Sequence, residues 1–150
     1  MTESKIAFLV LALSVVPVKT FGCENLILET GFIIIPPPGS QYAVGYFQIK
    51  NISQKTIVIK SFSSIFFASI AIHRTSHSHS KKLSKMRLVN ELIIAPQDTL
   101  IGEPGGTHLM IKLINGSYRF TDQHISLNVL CENEASSEMI FLVSHRESTH

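Results

Sequence analysis

The sequence predicts an all-β domain, an antiparallel sandwich or barrel, and three observations carry that expectation. The apolar residues lean to β-branched types: Ile and Val together number 28, against 14 Leu and 7 Ala, with 9 Thr beside them. Side chains branched at Cβ suit a pleated strand better than a helix. Short apolar segments recur along the chain with proline, glycine and asparagine between them, which is how strands and turns alternate. Beyond residue 22 no segment holds the apolar period of a helix. The length of 150 residues suits one domain with a self-sufficient core. A formal charge of +2 argues against nucleic-acid binding through a basic face, and two cysteines exclude a disulfide-dense miniprotein or a four-cysteine zinc module.

In chain order, the first element is a leader. Lys5 precedes an apolar run over residues 6–16, broken only by Ser14, and Pro17 and Lys19 end it. Thr20-Phe21-Gly22 then places small residues at its first and third positions. This is the plan of a secretory signal peptide over residues 1–22, and its apolar run is too short to span a bilayer. The chain is therefore expected to be exported, with the periplasm as its compartment. Cleavage after Gly22 would leave Cys23 first, where a lipid could anchor the chain to a membrane. A disulfide to Cys131 and a free thiol are the other fates, and the sequence leaves all three open.

Strands are expected over residues 26–35, 42–50, 57–59, 65–72, 92–94, 100–101, 107–114, 125–131 and 138–143. Pro36-Pro37-Pro38-Gly39 must be a loop, because proline lacks the donor that a sheet ladder needs. Gly102-Glu103-Pro104-Gly105-Gly106 is an emphatic turn. The polar stretch 74–85 reads as a loop, and residues 144–150 as a flexible tail, leaving one domain over residues 24–143. Asn51-Ile52-Ser53 and Asn115-Gly116-Ser117 match the glycosylation triplet, but three-residue matches arise often by chance.

Chemistry is concentrated in a minority of residues. In His108-Leu109-Met110 the imidazole and the thioether are two apart, so on a strand they project to the same side. A thioether is a poor ligand for Zn²⁺, Mg²⁺ or Ca²⁺ and a good one for Cu(I). An isolated His-x-Met is more often a core methionine beside a solvated histidine, so the context decides. His73 lies in Ile72-His73-Arg74-Thr75, Met86 in Lys85-Met86-Arg87, and 21 residues separate Met86 from His108. Leu92-Ile93-Ile94-Ala95-Pro96 and Pro104-Gly105-Gly106-Thr107-His108-Leu109-Met110 follow in order. Upstream stand Pro36-Pro37-Pro38-Gly39 and Gly45-Tyr46-Phe47-Gln48-Ile49-Lys50-Asn51.

This series resembles the periplasmic copper chaperones of the PCu(A)C family, over roughly residues 26–143. Three departures stand out. Twelve residues rather than ten lie between His73 and Met86. Phe32 stands where the family has a tryptophan, and Ile34 where an arginine often follows it. The resemblance implies a cupredoxin-like or immunoglobulin-like β-sandwich that binds one Cu(I) through His73, Met86, His108 and Met110. It also implies delivery to an acceptor such as the binuclear copper site of cytochrome c oxidase, or to another copper chaperone. Four neutral donors need no thiolate, which suits an oxidising compartment. His77 and His79 are candidate auxiliary ligands for Cu(II), which favours imidazole.

The rival reading is a non-catalytic β-sandwich interaction module, or a copper-storage or tolerance protein without a delivery role. Enzymes are not expected. Gly-x-Ser-x-Gly and His-Glu-x-x-His are absent. No cleavage product begins with His, as a copper oxygenase would need. An electron-transfer copper site needs a His between Cys131 and Met139, and there is none.

Overall fold

The computed structural model describes residues 22–77, 84–114 and 123–145. A short 3₁₀ turn over Cys23–Asn25 leads into ten strands: β1 Leu26–Ile35, β2 Tyr42–Asn51, β3 Ile57–Ser63, β4 Phe67–His77, β5 Ser84–Val89, β6 Leu92–Ile94, β7 Thr99–Gly102, β8 Thr107–Leu113, β9 His124–Cys131 and β10 Ser136–His145. Hydrogen bonding links them in the order β5-β4-β8-β2-β1-β10-β9-β3-β6, and β7 also pairs with β2. The sheet curls into a nearly closed β-sandwich, so the all-β expectation holds. Among the described residues no helix is long and apolar enough to cross a membrane.

Two features of connectivity close the sandwich. β1 pairs antiparallel with β2 along its length and parallel with β10 through Phe32, Ile33, Ile34 and Ile35. β2 divides its other edge: Tyr42 to Gly45 pair with β8, and Phe47 to Lys50 pair with β7. The alternation on β2 sends Ala43, Gly45, Phe47, Ile49 and Asn51 inward and Tyr42, Val44 and Tyr46 outward. With Ile33, Ile59, Leu109, Ile111, Leu127, Val129 and Phe141 they form the fully buried centre. Gly102 sits beneath the Phe47 ring, where a Cβ would come within 2.6 Å of it.

Asn51 is a wholly buried polar residue with every hydrogen-bonding atom used. Its Nδ2 donates to the carbonyls of Lys55, Ile94 and Ala95, and its Oδ1 accepts from the Ser53 N–H and hydroxyl. It thereby ties the loop after β2 to the end of β6, and its amide is not accessible to a glycan. Gln97, at φ +61°, braces the same loop through the carbonyls of Ile52 and Ser53.

The structure corrects several boundaries. The stretch read as a polar loop carries strand at both ends: β4 continues through His77, and Ser84 to Val89 form a strand that the sequence did not announce. β10 runs through Ser144 and His145, which pair with Ile34 and Ile35, so the expected tail is ordered for its first two residues. Cys23 and Cys131 form a disulfide with Cα atoms 5.8 Å apart, which settles the pairing the sequence left open. The expected leader lies outside the described residues except for Gly22, as do Asn115 and residues 146–150.

Candidate metal centre

The turn before β8 shapes the site. Pro104 and Gly105 occupy its two central positions, and the Gly106 N–H donates to the Glu103 carbonyl at 3.1 Å. Gly105 has φ +77°. This is a type II turn, which takes proline second and needs glycine third to avoid a Cβ clash. The Gly106 carbonyl then accepts twice: from the Thr75 N–H at 3.0 Å and from His108 Nδ1 at 3.2 Å. Since a carbonyl only accepts, the His108 proton sits on Nδ1, and the neutral ring keeps its lone pair on Nε2. Metal-binding histidines are commonly oriented in this way.

Strand register brings the other candidates to the same place. On β4, His73 stands directly opposite His108 and Ala71 opposite Met110. On β5, Leu88 stands opposite His73 and Met86 opposite Thr75. Paired residues share a face, and that face recurs every second residue. His73, Met86, His108 and Met110 therefore lie on one face of β5-β4-β8, opposite the core face of Ile72, Leu109 and Ile111. The two imidazoles are 6.1 Å apart between ring centres and inclined at 61°. With metal–nitrogen bonds of about 2 Å, two imidazoles can share an ion with ring centres up to about 6.5 Å apart. The observed separation lies within that reach.

Burial is graded across the four. His108 is 5% exposed, His73 and Met110 are half-buried, and Met86 is 47% exposed. His73 Nδ1 is buried with no hydrogen-bond partner. Burial, and secondarily the neighbouring His108, lowers the His73 pKa below the ordinary imidazole value. The shift favours the neutral ring, the form that binds metal. Among the described residues no three His, Cys, Asp or Glu side chains gather into a metal-binding group.

Met139 and His124 fall elsewhere in the fold. Met139 is buried in the core opposite Leu127. His124 is exposed at the start of β9, far along the sheet order. His77 ends β4 opposite Ser84, and His79 lies outside the described residues. Sequence reasoning missed the Gly106 carbonyl as the group that orients His108, although the Pro-Gly-Gly run that creates it was plain.

Several solved structures share this fold. The copper-bound PCuAC domain from PmoF2 aligns over 81% of this chain and 93% of its own, with TM-score 0.63 and 15% identity. The apo PCuAC domain from PmoF1 aligns over 81% and 94%, with TM-score 0.64 and 14% identity. Apo-DR1885 from Deinococcus radiodurans aligns over 100% of both chains, with TM-score 0.60 and 16% identity. At such identities the likeness is one of fold. No curated protein matches the chain. The profile of the family described as "Putative lipoprotein LpqE-like" matches residues 26–117, well over half of the sequence, and the chain belongs to that family.

Proposed function

We propose that this protein is an exported copper chaperone that carries one Cu(I) on His73, Met86, His108 and Met110 and passes it to an acceptor protein. The observation that carries this reading is the placement of two imidazoles and two thioethers on one sheet face, with His108 Nε2 free for a metal. The donor set suits a soft monovalent ion, since thioethers select Cu(I) and neutral donors leave its charge unchanged. The copper-bound PCuAC fold supports the same reading, as does the Cu(I)-bound form of DR1885, which aligns with TM-score 0.59. The Cys23–Cys131 disulfide and the lipoprotein family description support export to an oxidising compartment, taken here as the periplasm. The binuclear copper site of cytochrome c oxidase is the acceptor we favour.

Anaerobic Cu(I) titration against a competing chelator tests the site. One equivalent bound tightly is expected, with affinity lowered at least tenfold by His108→Ala and by Met110→Ala. X-ray absorption should show nitrogen and sulfur sharing the metal's shell. Weak uptake that ignores both substitutions would refute the assignment.

A further inference from the structure

We propose that the four donors work as a holding pair and a yielding pair. His108 and Met110 keep the ion until the end of transfer, while Met86 and then His73 give way to donors that enter from the β5 edge. This rests on the copper-carrier reading above, and it follows from how differently the chain supports each ligand.

The holding pair lies on β8, which is hydrogen-bonded to β4 on one side and β2 on the other. His108 is almost fully buried, and its ring is fixed by the Gly106 carbonyl, so swinging it away would break that bond. Met110 is half-buried between Ala71 and Val44, its register partners on the two flanking strands. The yielding pair is less supported. β5 is a terminal strand of the sheet, and its Met86 is 47% exposed, next to a Leu88 that is 65% exposed. A methionine has three rotatable side-chain bonds and can turn away while its strand stays in place. No hydrogen bond holds His73 Nδ1, so rotation of that ring sacrifices less than rotation of His108.

Ligand exchange in this order balances simply. One copper–donor bond to the chaperone breaks as one copper–donor bond to the acceptor forms, first at Met86 and then at His73. The ion remains Cu(I) and no electron moves. An incoming thioether or neutral imidazole moves no proton, and an incoming thiol releases its proton to solvent.

The test uses the exported chain loaded with one Cu(I) and bathocuproine disulfonate as the removing chelator, followed by stopped-flow absorbance. Met→Leu substitutions preserve volume and so limit folding defects, and thermal melts of each variant verify folding. Met86→Leu and His73→Ala are expected to bind one Cu(I) yet release it at least tenfold faster than the parent. Met110→Leu and His108→Ala are expected to retain none at the same chelator concentration. Leu88→Trp, which crowds the β5 side, should slow removal several-fold, whereas Val44→Trp on the β2 side should not. Equal losses from Met86→Leu and Met110→Leu, or slowing by Val44→Trp alone, would overturn the division while leaving copper carriage intact. A parent chain that takes up no Cu(I) would overturn both.

Discussion

His73 and His108 face each other across a single register position, yet the chain treats the two imidazoles differently. His108 is oriented by a backbone carbonyl, while His73 presents a buried nitrogen with no partner. The lowered pKa of His73 has a definite sign for stability. Between its folded value and about 6.5 the unfolded chain binds the proton and the folded chain does not, so stability rises with pH there. The contribution of neutral His73 is whole above about pH 6.5 and is lost as pH falls below it. Urea midpoints of the copper-free protein should therefore fall between pH 7.5 and pH 5.5, and His73→Gln should flatten that fall. An unchanged slope in the variant would assign the effect to other groups. Asn51 shows a second residue-scale dependence. Truncation to alanine removes the amide's hydrogen bonds to the Lys55, Ile94 and Ala95 carbonyls and to Ser53 inside the fold, at a cost of about 2–3 kcal/mol. Chemical denaturation should show this, with copper affinity little changed because Asn51 is on the core side of β2, away from the proposed ligands.

At the scale of the element, the turn over Glu103 to Gly106 couples local conformation to the metal face. Gly105→Ala forces a Cβ into the left-handed region and should destabilise by about 1–2 kcal/mol. Distortion of the turn also moves the Gly106 carbonyl, so Cu(I) affinity should drop together with the melting temperature. A variant that is less stable but keeps full affinity would show that the carbonyl does not govern His108. The same element explains what the sequence could disclose. Pro104, Gly105 and Gly106 announced the turn, and the spacing of His108 and Met110 announced that they share a face, because both are local properties. The β4–β5 hairpin was not legible, since Arg74, Ser76, Lys85 and Arg87 are polar and a two-stranded edge extension buries little apolar surface to mark it. Met86 was identified by its distance from His108 along the chain. Its position diagonal to His73 depends on the register of a strand that no apolar pattern revealed.

Over the whole molecule, the strands with a buried face were legible because one face alternates against the core, as Ala43, Phe47 and Ile49 do on β2. Their order was not: the parallel pairing of β1 with β10 joins the two ends of the domain, and no local signal encodes it. The disulfide has the same long-range character. It joins the 3₁₀ turn before β1 to the last residue of β9 across 108 positions of sequence. In the chain-entropy picture a cross-link of that span contributes about 4–5 kcal/mol by restricting the unfolded state. A Cys23→Ser, Cys131→Ser double variant should accordingly unfold at markedly lower urea, yet keep the Cu(I) affinity proposed above, since neither cysteine lies on β4, β5 or β8. Both sulfurs are buried and joined, so a Cys23 in this bond has no sulfur free for a thioether-linked lipid. For a member of a family described as lipoproteins this is a sharp choice. The intact mass of the exported chain should rise by two hydrogens on reduction and carry no fatty acyl group. An acylated Cys23 in the mature protein would mean that the bond is absent from that form and that Cys131 stands alone.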